Sequence, residues 1–307
     1  MDEQAKEALV SSRVESVTAA AAGTVTLGGE VVVNRLGFGA MRITGSGIWG
    51  APKDPQAAMA VLRRAVELGV NFIDTADSYG PAVSEELIAK ALYPYPKGLV
   101  IATKGGWKRP GPNQWTHDSS PKHLREAIEG SLKRLRLDRI ELYQLHTPDP
   151  TISFDLSIET LRELQSEGKI HQIGLSNVTR EHIERARKIA HVVSVQNRYS
   201  VVDREWEYVV DYCEQNRIAF IPWFPLGAGD VGHDLIEGIA KAHAVKAIPI
   251  ALAWILQRSE IMLPIPGTSN LDHLEENIAA ASLRLSEQEF RQLDEVNGKA
   301  SAGRVRA

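Results

Sequence analysis

The chain has 307 residues, 43% hydrophobic and 24% charged, with a formal net charge of -4 and a pI near 6.2. That is the composition of a soluble globular protein of one large or two ordinary domains, with no basic stripe for nucleic acid and no 18-residue apolar run for a membrane. A single cysteine, Cys213, excludes an internal disulfide and lies on an apolar helical stripe with Trp206, Val209 and Val210, as core filler would.

Residues 1–22 read as an extension, helical or frayed. They lack the basic start and apolar run of a secretory signal, so a cytoplasmic location is expected. Residues 23–307 show no composition break and read as one domain. Two short strands around Gly28 and Gly29 predict a hairpin. After it the pattern changes to strand-helix alternation. Strands are predicted at 35–40, 70–73, 99–103, 140–145, 170–175, 192–195, 218–221 and 261–265. Each is followed by helical sequence: Asp54 caps the first helix, with Ala58, Val61, Leu62, Ala65 and Leu68 on one face. The seventh helical region, 234–257, is expected to break at Pro249, and a further helix over 286–296 closes the chain.

Eight such units in roughly 250 residues predict parallel strands with right-handed crossovers, closed into a (β/α)8 TIM barrel. An open doubly wound sheet is the rival. The hairpin would cover the barrel bottom.

In such a barrel the active site lies at the carboxyl ends of the strands. Those ends carry Asp74, Lys104, His146, Ser176-Asn177, Gln196-Asn197, Trp223-Phe224 and Pro266 to Ser269, with Tyr79 on the loop beyond Asp74. A phenol, an ammonium, an imidazole and a carboxylate together form an acid-base set. Taken singly, each has a plainer reading: Asp74 as a cap, Tyr79 as packing, Lys104 and Asp74 as a structural ion pair, His146 as a strand cap, Trp223 as a core aromatic. The segment Gly45-Ser-Gly-Ile-Trp-Gly fits G-x-G-x-x-G, but Ala51 to Pro55 follow it and forbid the helix that a dinucleotide fingerprint requires. It reads as a loop. Trp49 on it, and Trp107 and Trp115 in the Gly- and Pro-rich loop 105–120, are candidate substrate contacts or loop packing. No metal-ligand spacing, nucleophile elbow or P-loop is present.

Five segments carry a resemblance: Asn-Phe-Ile-Asp-Thr-Ala-Asp-Ser-Tyr-Gly from residue 71, Ile-Ala-Thr-Lys-Gly-Gly from 101, Leu-Tyr-Gln-Leu-His from 142, Ile-Gly-Leu-Ser-Asn from 173, and Ile-Pro-Gly-Thr-Ser from 265. In this order they resemble the signature segments of aldo-keto reductases, over about residues 31–281. The resemblance implies a TIM barrel that binds NADPH in an extended pose and reversibly reduces an aldehyde or ketone to an alcohol, with hydride from the nicotinamide 4-position. It implies Tyr79 as proton donor, Lys104 lowering the phenol's pKa, Asp74 pairing the ammonium and His146 orienting the carbonyl. It sets Ser176, Asn177 and Gln196 against the nicotinamide carboxamide and Trp223 on the ring. Leu226 and Gly227 would follow the pyrophosphate, Thr268 and Ser269 the 2′-phosphate, and Glu276 and Asn277 the adenine. Gly267 and His273 stand where many members carry a basic residue, so NADP(H) is expected as the preferred cofactor with NAD(H) also possible. The expected partner is a small carbonyl or alcohol substrate, with no nucleic acid and no membrane; the oligomeric state is not readable. Two rivals stay open: a non-catalytic nicotinamide-binding regulatory subunit, and a barrel isomerase or lyase.

Overall fold

The computed structural model describes residues 17–225 and 234–302. Strands β1 (Thr24–Leu27) and β2 (Val31–Asn34) form the expected antiparallel hairpin, with Gly28 and Gly29 at φ of 61° and 79°, which only glycine adopts freely. Then β3 (Phe38–Gly39), β4 (Phe72–Asp74), β5 (Val100–Gly105), β8 (Ile140–Leu145), β9 (Ile170–Ser176), β10 (Val192–Gln196) and β11 (Ala219–Phe220) form one parallel sheet in sequence order. The chain between Ile261 and Pro264 closes it. Leu263 N donates to Phe220 O at 2.9 Å on one side, and Gly37 N donates to Pro264 O at 3.0 Å on the other. The predicted barrel is thus present, with its first and last strands joined through that segment.

The seventh and eighth strands are shorter than predicted because Pro222, Pro264 and Pro266 have no N–H to give to a ladder. Helices follow the strands: α1 (Pro55–Glu67), α2 (Val83–Leu92), α3 (Pro121–Leu135), α4 (Phe154–Ser166), α5 (Arg180–Ala186), α6 (Glu207–Gln215), α7 (Asp234–Ala242), α8 (Ala247–Arg258) and α9 (Leu271–Ala279), with α10 (Glu287–Ala302) last. Asp54 caps α1 as expected, accepting from Ala57 N at 2.9 Å. The break expected at Pro249 falls earlier, between Ala242 and Ala247; Pro249 sits in the first turn of α8, where its missing N–H costs little. The loop expected over 105–120 folds as a second hairpin, β6 (Trp107–Gly111) with β7 (Gln114–His117).

Period-2 alternation sorts the barrel. Phe72, Val100, Ala102, Leu142 and Leu263 point inward and share one apolar cluster with Leu27 and Val33 of the first hairpin. That hairpin therefore plugs the bottom. Ile73, Ile101, Tyr143 and Leu145 point outward and pack under the helices. Part of the N-terminal extension belongs to the fold, because Ala19 is fully buried and its N–H donates to Leu68 O at 2.8 Å. Among the described residues no single helix is long and apolar enough to cross a membrane.

Candidate active site

The same alternation that buries Phe72, Ala102 and Leu142 turns Asp74, Lys104 and Gln144 inward at the top of the barrel. Lys104 pairs in register with Gln144, and Gln144 with Gly174. A Cβ at Gly174 would lie 2.4 Å from Ser194 Oγ and 2.9 Å from Gln144 Cγ, so these inward side chains need the glycine. Strand β10 carries a bulge between Val192 and Ser194. An extra residue shifts the alternation by one, so Val195 packs outward and Gln196 turns into the mouth.

Four inward groups meet there. Lys104 Nζ donates to Asp74 Oδ2 at 2.6 Å and to Thr75 O at 2.9 Å, and lies 3.5 Å from the Tyr79 hydroxyl. Gln144 and Gln196 both donate to Asp74 Oδ1, at 3.0 and 2.8 Å. Asp74 thus accepts three charged or amide donors, which offsets the cost of burying it. Burial tends to discharge Lys104, but Asp74 and then Tyr79 outweigh it, and its pKa is raised. For Tyr79 burial dominates and raises the pKa; Lys104 opposes this and Asp74 adds to it. The expected net lowering of the phenol's pKa is therefore not found, because burial outweighs the ammonium, and the carboxylate that holds the ammonium adds to the rise.

His146 ends the next strand. Its ring meets that of Tyr79 edge-on at 5.8 Å. Burial, then the charge of Lys104, pushes its pKa well below the usual histidine value, so the imidazole is neutral at physiological pH. Ser78 Oγ lies 3.4 Å from Nδ1. Asn177, in the left-handed region at φ 57°, donates to His146 O and to Ser176 Oγ and accepts from Trp223 Nε1 at 3.2 Å. It braces three other predicted site residues.

These groups open into a cavity of about 770 Å³, lined among others by Asp74, Tyr79, His146, Ser176, Asn177, Gln196, Trp223, Gly267, Thr268 and Ser269. Lys104 lies behind, fully buried. Trp107 and Trp115 line it too, on the second hairpin, 5.8 Å apart edge to face. Trp49 does not; its neighbour Ile48 does, while Trp49 lies 5.6 Å from the Arg109 guanidinium. His273, Glu276 and Asn277 also lie outside this cavity, on α9: Glu276 pairs with Lys246 at 2.5 Å, and Asn277 is buried. Leu226 and Gly227 lie outside the described residues.

Position 267 has a steric reason for lacking a basic side chain. A Cβ there would lie 2.4 Å from Gly39 O. Arg42, not foreseen from the sequence, lines the cavity beside it and makes no ion pair among the described residues. Met41, Phe224 and Pro225 complete the wall. Among the described residues no group of three His, Cys, Asp or Glu side chains could hold a metal.

Comparison with known proteins agrees with this architecture. A model of the Aldo/keto reductase family matches residues 35–298. An uncharacterized oxidoreductase of Schizosaccharomyces pombe is 51% identical over 282 residues, covering 91% of this chain and 92% of its own. Pyridoxine 4-dehydrogenase of Escherichia coli is 42% identical over 282 residues, covering 89% and 98%. The structure of an aldo/keto reductase from Klebsiella pneumoniae in complex with NADP and acetate aligns with a TM-score of 0.76 at 27% identity, covering 89% of this chain and 94% of that one. The chain belongs to the aldo/keto reductase family and is an oxidoreductase of that family.

Proposed function

We propose that this protein uses NADPH to reduce an aldehyde or ketone to an alcohol, reversibly, with Tyr79 as the proton donor. The observation that carries the reading is the buried Lys104, 2.6 Å from Asp74 and 3.5 Å from the Tyr79 hydroxyl, with the His146 ring edge-on to that phenol at 5.8 Å. A bound reduced nicotinamide supplies the hydride that converts the carbonyl carbon. The negative charge then developing on oxygen needs a proton and a donor. Tyr79, whose pKa is raised, still holds its proton at neutral pH and delivers it. Lys104 stabilises the phenolate left behind. His146 Nε2, which has no protein partner among the described residues, suits a hydrogen bond to the substrate oxygen. With the hydride that a bound cofactor would supply, the proton from Tyr79 would complete the alcohol.

The donor set suits the cofactor. Both N–H groups of Gln196 are engaged by Asp74 and Gln144, which leaves its carbonyl to accept from a carboxamide. Ser176 lies beside it, and the Trp223 indole gives a flat ring a surface to stack on. Thr268 and Ser269 precede the N-terminus of α9, whose N–H groups suit a phosphate, and Arg42 supplies a cation there.

The aromatic wall of Trp107, Trp115, Trp223 and Phe224 favours a flat substrate. The relation to pyridoxine 4-dehydrogenase makes pyridoxal and pyridoxine the first pair to assay. The test is oxidation of NADPH and of NADH with a panel of aromatic and aliphatic carbonyls. Turnover with NADPH and an aromatic aldehyde is expected. Cofactor binding with no turnover across the panel would sink the reading.

A further inference from the structure

Arg109 is the guanidinium the reaction chemistry leaves unexplained. It sits on β6, only 9% exposed, and makes no ion pair among the described residues. Its nitrogens instead donate to four backbone carbonyls. Nε reaches Gln114 O at 2.9 Å, across the second hairpin. Nη1 reaches Ile48 O at 2.9 Å and Ser78 O at 3.0 Å. Nη2 reaches Gly47 O at 3.0 Å. The group also lies 3.7 Å from the Trp115 ring centroid.

These contacts join three separate segments: the loop after β3, the turn that carries Tyr79, and the β6–β7 hairpin. Each touches the cavity. Ile48 and Trp115 line it, and the Ser78 carbonyl belongs to the peptide that leads into Tyr79. The hairpin rim reaches the same loop through Asn113, whose Oδ1 would lie 3.0 Å from a Cβ at Gly47. A planar fork with five donors can span this geometry, whereas a lysine ammonium with three donors at one point cannot.

We propose that Arg109 is a positioning residue that locks the aromatic hairpin to the Tyr79 turn, so that one side chain sets both the substrate wall and the placement of the proton donor. The inference rests on the proposed carbonyl reduction for its kinetic consequence, but its structural half stands without it. Small displacements of a reacting group cost about 100-fold in rate. Loss of the lock should therefore raise KM for flat aromatic substrates and lower kcat together.

The test compares Arg109→Met, which keeps bulk without charge, with Arg109→Lys, which keeps charge without the fork. Kinetics are read as a KM and kcat split, and backbone hydrogen exchange is read segment by segment. For both variants kcat/KM with an aromatic aldehyde is expected to fall roughly 10- to 100-fold, while NADPH binding stays within about twofold, well under a tenfold change. Exchange is expected to quicken together in residues 45–50, 76–80 and 107–117, with β8 and β9 unchanged. Should Arg109→Met not fold, Arg109→Lys carries the same test. Exchange that quickens in the hairpin alone, or kcat/KM equal to the parent's, overturns the proposal. If the parent itself shows no turnover, the reduction reading fails and the exchange pattern alone decides the role of Arg109.

Discussion

Lys104 holds Asp74 more closely than it holds Tyr79: 2.6 Å to the carboxylate against 3.5 Å to the phenol. The ammonium is a structural partner of one and, in the proposed mechanism, an electrostatic partner of the other. Lys104→Met separates the two roles. Removing one member of a buried pair leaves the other uncompensated and costs about 3–5 kcal/mol; here Gln144 and Gln196 still donate to Asp74, which favours the lower end. Turnover should fall by roughly 100-fold or more, because the phenolate loses its cation. Chemical denaturation and steady-state kinetics on the same variant check both, and retention of full activity would remove Lys104 from the mechanism.

The buried neutral imidazole gives the protein an acid limit. The pKa of His146 is depressed in the fold, so its contribution to stability is fully present above the unfolded value of about 6.5 and is lost as pH falls. Below that value the unfolded chain takes up a proton that the folded site refuses. Between about pH 7 and about pH 5 the parent's melting temperature should drop, and His146→Gln should drop less. Equal slopes for parent and variant would contradict the assignment. His123 and His182 are depressed by burial as well, so the variant keeps part of the slope.

Arg42 stands next to Gly267, where a side chain would collide with Gly39. If it holds a cofactor phosphate, as proposed, Arg42→Ala should weaken NADPH about tenfold, the loss of one charge-assisted hydrogen bond. Titration followed by Trp223 fluorescence at two ionic strengths reads this directly, since the variant should also show a weaker salt dependence. Comparison with NADH tells which phosphate is involved: a loss confined to NADPH points to the 2′-phosphate, and a loss shared by NADH points to the pyrophosphate.

Trp107 packs against His117 at 4.1 Å with the rings tilted by 31°, and meets His146 and Trp115 edge-on. Trp107→Ala should therefore lower kcat/KM for an aromatic aldehyde at least about tenfold more than for a short aliphatic one. Competition assays with the two substrates check the ratio. An unchanged ratio would move the substrate away from the hairpin.

The strand ends were legible because barrel strands are short, apolar and cut off by polar residues: Asp74, Lys104 and His146 each follow such a run, and the cavity collects Asp74 and His146 with Tyr79 while Lys104 lies behind them. What was hidden depends on register or on backbone partners. Gln144 looks like one polar residue within a strand until pairing with Lys104 turns it inward. Gln196 was legible as a strand end, but its bond to Asp74 depends on the bulge in β10, which has no sequence mark. Arg109 bonds carbonyls, and carbonyls are the same at every position. The hairpin over 107–117 left only a weak signal, Trp107 and Trp115 on either side of the turn residues Pro110 to Asn113, masked by a Gly and Pro content that reads as loop. The direction of the Tyr79 shift depended on a balance between burial and two opposite charges, which spacing cannot weigh.

The proton donor is the centre of the account, and Tyr79→Phe tests it most directly. Turnover of an aromatic aldehyde and NADPH affinity should be measured on the same preparation as the parent enzyme. The account predicts near-parental NADPH binding with turnover reduced by about 100- to 10,000-fold, the usual worth of a positioned acid. Turnover close to the parent's, with the cofactor bound, would contradict it.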